Sequence, residues 1–373
     1  MRHLPLDHLQ KPVPAIGQGC GGGILRDAED VARRADALRQ GIDCGLTLLD
    51  TAEAYHDGRS EEAVGRAAKG QRENVFIASK VSPDHLRPGD LVAAAERSLR
   101  RLQTDYLDLY QIHWSNPKLP IADTMAALAG LVAAGKVRHV GVCNFSAKEI
   151  AAAEAAFRPL RLFSLQAEYN LFDRSAEESL FPHWQAPGRI FLAYSPLEQG
   201  SLAGGEAQRI KLQAIAARSG ATPAQLALAW IVSHPGVVAI PKASSPEHIR
   251  ENADAAKLEL SAEDRTLIGD TLACRPRSVP VNRIRVVLDG QENRPAYRTV
   301  SEALANGLGL VPSPRELAED ILGGEFLKPV RVRPSQDRSG NHDYELIEGR
   351  LRYWAWVIAY KGERPINVLV REN

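Results

Sequence analysis

Along the first 270 or so residues, short apolar and β-branched runs alternate with longer alanine-rich stretches. The short runs are PAIGQGC (14–20), LTLLD (46–50), VFIASK (75–80), LDLYQIH (107–113), RHVGVC (138–143), LFSLQA (162–167), IFLAYS (190–195) and VVAIPK (237–242). Their length and composition are those of buried strands. Between them, stretches such as DLVAAAERSLRRL, DTMAALAGLVAAG and PAQLALAWIVSHP place apolar residues three and four apart, the spacing of a helix packed by one face on a sheet. Eight strand–helix units in roughly 270 residues is the count of a (β/α)8 TIM barrel, where a doubly wound sheet would usually hold fewer strands.

The texture changes after about Arg275. CRPRSVPVNRIRVVLDGQENRP carries prolines and charges in place of alanine-rich helix, and reads as a linker leading into strand VNRIRVV. Helix SPRELAEDILGG, strands FLKPVRVRP and DYELIEG, helix RLRYWAWVIAYKG and strand PINVLVRE follow. This predicts a small C-terminal α/β domain, with residues 1–275 forming the barrel and 276–373 the tail. Trp354 and Trp356, two apart on one helix, must point to different faces, so one belongs to the core and the other is available for an interface.

Composition narrows the class. The 46 basic and 46 acidic residues of the 373 cancel, which gives no reason to expect a nucleic-acid or membrane partner. No apolar run approaches a membrane span, and MRHLPLDHLQKP lacks the apolar core of a signal peptide. Cys20, Cys44, Cys143 and Cys274 show no C-x-x-C spacing. That pattern fits a reducing, cytoplasmic compartment and argues against a zinc site.

Candidate chemistry gathers where strands end. AIGQGCGGGIL contains G-x-G-x-x-G from Gly17 to Gly22, the fingerprint of a dinucleotide-binding crevice. Read that way, it leaves four strands surplus and leaves unexplained the polar residues at the next strand ends. These are Asp50 after LTLL, Lys80 after FIAS and His113 after LYQI, with Tyr55 in the loop DTAEAYHDGRSEEAVG. In a barrel, the C-terminal strand ends carry the site. On that reading the glycines end the first strand and let backbone pass close to a ligand. An acid, a lysine, a histidine and a tyrosine on one rim form a proton-transfer set. Lys80 beside Tyr55 is expected to lower the phenol's pKa, Asp50 to hold the lysine, and His113 to donate a hydrogen bond to a carbonyl oxygen as negative charge develops. Singly, each is more often a solvated side chain; the joint pattern on three successive strands is what points to chemistry.

With these motifs in place, residues 5–270 resemble the aldo-keto reductases. The resemblance rests on DTAEAYHDGRSEEAVGRAAKG, YLDLYQIHW, GKVRHVGVCNFS and IPKASSPEHIREN. It implies Tyr55 as proton donor, with Asp50, Lys80 and His113 completing the catalytic set. Asn144 and Gln166 would hydrogen-bond the nicotinamide carboxamide and Tyr194 would stack on its ring. Lys242, Ser244, His248 and Asn252 would lie near the adenosine end. The implied reaction is hydride transfer between a nicotinamide and a small aldehyde, ketone or sugar-like carbonyl, without a metal, and Trp114 would line the substrate pocket. Many relatives carry arginine where His248 stands, so NADPH is expected and NADH remains possible. Cys143 replaces a common serine.

Residues 278–372 resemble the ParB/sulfiredoxin superfamily. The turn Glu348-Gly349-Arg350-Leu351-Arg352 opens a helix, an arrangement suited to anions. A nucleotide site would use Gly349, Arg350 and Arg352 with Glu292 and Arg294. The tail lacks the sulfiredoxin cysteine, and no helix-turn-helix follows. Three roles are open to the tail: nucleotide binding, a kinase-like second activity, or a structural role as lid or dimerisation surface. The rival to an enzyme is an NADPH-binding redox sensor with the tail as its output.

Overall fold

A computed structural model of the chain describes all residues except 7–8, 185, 199–205, 273–275, 288–296, 311, 336–340 and 372–373. The chain divides into two compact units, residues 1–202 with 212–270, and residues 203–211 with 271–373.

The first unit is built on eight parallel strands in sequence order: β1 (Gln18–Gly19), β2 (Leu48–Asp50), β3 (Phe76–Val81), β4 (Leu107–Ile112), β5 (Val137–Cys143), β6 (Ser164–Glu168), β7 (Ile190–Tyr194) and β8 (Val237–Ala239). A parallel bridge between Ile16 and Ala239, with Gly17 N–H bonded to Ala239 O and Gly19 N–H to Pro241 O, joins the last strand to the first. The sheet therefore curls into a (β/α)8 barrel. Its helices begin where capping chemistry places them. Ser146 and Glu149 form a reciprocal capping box at Ala147–Phe157, and Thr222 and Gln225 do the same at Pro223–Val232, where proline occupies the first turn.

Inside the barrel, Leu48, Phe76, Ala78, Leu109, Phe163, Ile190, Leu192 and Val238 form one apolar cluster. The two-residue repeat of a strand carries Leu48 to Asp50, Ala78 to Lys80 and Leu109 through Gln111 to His113 on the same inward face. The polar candidates thus cap an apolar column. At the opposite end, Leu6 and Val13 join the cluster from an N-terminal hairpin pinned by the His3–Pro14 bridge and a Leu4 N–H to Val13 O bond.

The glycine motif proves to be a packing device. A Cβ on Gly17 would stand 2.8 Å from Leu48 O, and one on Gly19 would stand 2.7 Å from Ile240 O. The first strand can therefore sit between its two neighbours only if both positions lack a side chain. Gly21 and Gly23 serve different needs, described below.

In the second unit, five strands form a mixed sheet: β9 (Arg277–Val279), β10 (Ile284–Val286), β11 (Val330–Pro334), β12 (Tyr344–Glu348) and β13 (Ile366–Val370), in the order β10-β12-β11-β13-β9. Part of the expected linker is thus an edge strand: Arg277–Val279 pairs antiparallel with β13, because its extended residues find an open edge there. Val330, Val332, Leu346 and Val368 pack with Tyr353 and Trp354 of the helix Arg350–Tyr360. Trp354 is the core tryptophan, its Nε1–H bonded to Tyr297 O, whereas Trp356 donates to Arg364 O and meets Tyr360 edge-on.

Gly19→Ala is expected to lower unfolding stability by about 1–3 kcal/mol, since a methyl group would be forced against rigid backbone. Urea denaturation followed by circular dichroism measures this; an unchanged midpoint would show that the strand shifts freely.

Candidate active site

Asp50 is the last residue of β2, Lys80 lies near the end of β3 and His113 directly follows β4. Lys80 is wholly buried, and its ammonium donates to Asp50 Oδ2 at 2.7 Å, Thr51 O at 2.9 Å and Tyr55 Oη at 3.3 Å. An ammonium has three N–H bonds, and all three are used. Because Lys80 donates to Tyr55 Oη, the phenol's own proton is left to point elsewhere. Asp50, also buried, takes a second hydrogen bond on Oδ1 from Gln166 Nε2 at 2.8 Å.

The electrostatics depart from expectation at one residue. Lys80 was expected to bring the Tyr55 pKa down. Instead the phenol stands above its ordinary value, because burial raises it by more than the lysine charge lowers it. Lys80 itself is held more basic than usual: burial opposes the charge, but the charge of Asp50 and its hydrogen bond outweigh it. His113 is pushed down to about 3 by burial first and Lys80 second, so its ring is neutral at physiological pH. It meets Tyr55 edge-on at 5.5 Å and stacks on Trp114 at 3.8 Å, and its Nδ1 is buried without a hydrogen-bond partner. Trp114 is 47% exposed, which leaves it free to line an opening.

The tyrosine ring is seated by backbone. A Cβ on Gly21 would fall 3.1 Å from two ring carbons of Tyr55. The two residues after Tyr55, His56 and Asp57, both take left-handed conformations with φ of 54°. Two consecutive strained residues beside the phenol mark a turn that the surroundings impose. His56 Nε2 lies 2.8 Å from Gly23 O and must donate to it, which ties the tyrosine loop to the glycine loop.

Of the residues expected around a nicotinamide, Asn144, Gln166 and Tyr194 come together. Asn144, at φ 59°, accepts from Tyr194 Oη at 2.9 Å and donates to His113 O and Cys143 Sγ. The Cys143 thiol, pushed up to about 12 by burial, points to Gln166 Oε1 at 3.7 Å. Lys242 and Ser244 follow β8 and are exposed; His248 is exposed on the helix Pro246–Ala255, and Asn252 is buried on it. In the tail, Gly349 caps the helix Arg350–Tyr360 at φ 91°. Arg350 donates to Val287 O, and Arg352 to Lys328 O and Pro329 O. Glu292 and Arg294 lie outside the described residues.

One residue escaped the sequence reading. Arg34 sits within the buried stripe of the helix Ala28–Asp43, among Val31, Ala35 and Leu38, and is 7% exposed. Its guanidinium donates to Cys20 O at 2.9 Å and Gly22 O at 3.2 Å. The available signal was an arginine at an apolar position of the helical repeat. Among the described residues, no cluster of His, Cys, Asp and Glu could hold a metal ion, and no helix is long and apolar enough to cross a membrane.

Comparison with known proteins agrees with this geometry. Residues 20–272 match the aldo/keto reductase family. Methylglyoxal reductase YeaE of Escherichia coli is 39% identical, over 74% of this chain and 95% of its own. An NADH-specific methylglyoxal reductase of the same organism is 32% identical, over 72% and 97%. The crystal structure of an aldo/keto reductase from Klebsiella pneumoniae, in complex with NADP and acetate, superposes with a TM-score of 0.67 at 40% identity, over 72% of this chain and 95% of that one. The chain belongs to the aldo/keto reductase family and is an NAD(P)H-dependent oxidoreductase.

The depressed His113 pKa makes an acid-stability prediction. A histidine that stays neutral in the fold but titrates near 6.5 when unfolded contributes stability above the unfolded value. That stability is lost as pH falls from about 6.5 towards 3. His113→Gln should therefore flatten the fall in denaturation midpoint over that window, and nitrogen-15 NMR should find the native ring untitrated between about pH 5 and 8.

Proposed function

We propose that this chain reduces small aldehydes and ketones with NADPH, 2-oxoaldehydes of the methylglyoxal type being the substrate class its named relatives suggest. The observation that carries the reading is the saturated ammonium of Lys80: Tyr55 Oη accepts its third proton, so the phenol keeps its own proton for a substrate oxygen.

The residues present fit a dinucleotide. Asn144, Gln166 and Tyr194 offer amide and phenol groups within one network at the strand ends. Lys242 stands beside Gly23, where a Cβ would collide with its ammonium, and among the described residues no carboxylate pairs with it. A bound reduced nicotinamide supplies a hydride to the carbonyl carbon. The protein's part is to manage the oxygen. His113, neutral and anchored against Trp114, donates a hydrogen bond to the carbonyl oxygen as charge accumulates there. Tyr55 then gives up its proton, and the fixed positive charge of Lys80 stabilises the phenolate left behind. Asp50 keeps Lys80 charged and aimed. Lys80 and Asp50 thus act through Tyr55 as positioning residues. His248, exposed and without arginine's forked donors, leaves NADH as a second cofactor.

For the tail we take residues 276–373 as a ParB-like domain in a structural role, with 1–275 as the catalytic domain. Arg350 and Arg352 hold backbone carbonyls around the Gly349 turn, which favours this over nucleotide binding or a kinase-like activity. A cytoplasmic setting fits the scattered cysteines.

Two measurements bear on these readings. Tyr55→Phe is expected to lower kcat for methylglyoxal about 10²–10⁴-fold while leaving NADPH affinity unchanged; equal activity would sink the proton-donor assignment. In thermal-shift assays of the full chain, NADPH should raise the melting temperature and ATP or CTP should not; a shift with either nucleotide would restore the binding role of the tail.

A further inference from the structure

Arg34 and Lys242 come from distant parts of the chain to the same point. A Cβ on Gly23 would collide with Lys242 Nζ and lie 3.0 Å from Arg34 Nη2, so a guanidinium and an ammonium abut one Cα. Like charges placed so close repel, and Lys242 is less basic than usual through burial first and the Arg34 charge second. Among the described residues, no carboxylate pairs with either. A nearly buried guanidinium bonded only to carbonyls, beside a second cation, lacks a counter-charge.

The surrounding backbone is turned to suit. Arg34 takes Cys20 O and Gly22 O, Ser60 Oγ also donates to Cys20 O, and His56 takes Gly23 O. With these carbonyls held by side chains, and Gly22 and Gly23 at φ of 70° and 73°, the loop turns tightly against the two cations. An oxyanion placed there would relieve the repulsion between the two cations.

We infer that Arg34, which lies outside the family motifs quoted above, is half of a two-cation clamp with Lys242 that receives the diphosphate bridge of the dinucleotide. This rests on the proposed NAD(P)H site. The choice of phosphate follows from reach. Gly23 is two residues from Gly21, which abuts the Tyr55 ring, and two residues span at most about 7 Å. The hydride and the proton go to one carbonyl group, so the nicotinamide lies at the phenol. From that ring, the diphosphate precedes the 2′-phosphate along the cofactor. The clamp therefore shifts Lys242 from the adenosine end, where the family resemblance put it, to the diphosphate; it serves NADPH and NADH alike and leaves discrimination between them to other residues.

The test is fluorescence titration of the full-length protein with NADPH and with NADH, for wild type, Arg34→Gln and Arg34→Lys, with inorganic pyrophosphate as competitor. Arg34→Gln should weaken both cofactors by a similar factor, about tenfold, flatten the salt dependence of binding, and lose competition by pyrophosphate. Arg34→Lys, which keeps the charge, should lose less. Weakening of NADPH alone would assign the clamp to the 2′-phosphate and overturn the inference. So would unchanged Kd values with a fall only in melting temperature or kcat, the signature of a purely structural arginine. If wild type itself binds neither cofactor, the functional reading falls first and this inference with it.

Discussion

The ion pair between Lys80 and Asp50 is the constraint on which the site depends. Two charges removed from water at the top of an apolar column are costly unless every donor and acceptor is satisfied. Here the ammonium has three acceptors, and the carboxylate takes the lysine on one oxygen and Gln166 on the other. The pair therefore ties β2, β3 and β6 together and fixes where Tyr55 Oη must sit. Removing either partner would leave the other charge buried and unmatched, so geometry and charge at the phenol are held by one device.

The same pair sets the protonation of its neighbours. Its lysine charge joins burial in keeping His113 neutral, and works against burial at Tyr55. The result is two neutral rings meeting edge-on, with a permanent cation beside the phenol. That arrangement suits a carbonyl oxygen gaining negative charge, and in the proposed mechanism it lets the tyrosine remain protonated until the hydride arrives. Around it the glycine loop has two roles. Gly17 and Gly19 allow the barrel to close, and Gly21 gives Tyr55 its seat.

Much of this was legible in the chain. Eight strand-length runs at barrel spacing correspond to the eight strands observed, and polar residues ending consecutive runs mark the rim. The structure differs where competing forces balance in three dimensions. The Tyr55 pKa departs from the sequence expectation because lysine proximity can be read from a motif, while depth of burial cannot. Arg34 is not legible in sequence because a lone arginine in an alanine-rich helix resembles a solvated one, and only packing puts its guanidinium against Cys20 and Gly22. In the tail, Arg277–Val279 read as a linker because an edge strand becomes a strand only when β13 offers an unpaired edge.

Local chemistry by itself determined the periodicities and the caps, because these depend on neighbours three or four residues apart at most. It also placed Asp50, Lys80 and His113 on one rim, since strand ends converge wherever a parallel sheet closes. What only the tertiary structure decided were quantities summed over residues far apart in sequence. These are the net direction of the Tyr55 pKa, the use of all three Lys80 protons, and the meeting of Arg34 with Lys242 at Gly23. Burial, hydrogen-bond saturation and charge repulsion act through space, and no spacing along the chain encodes them.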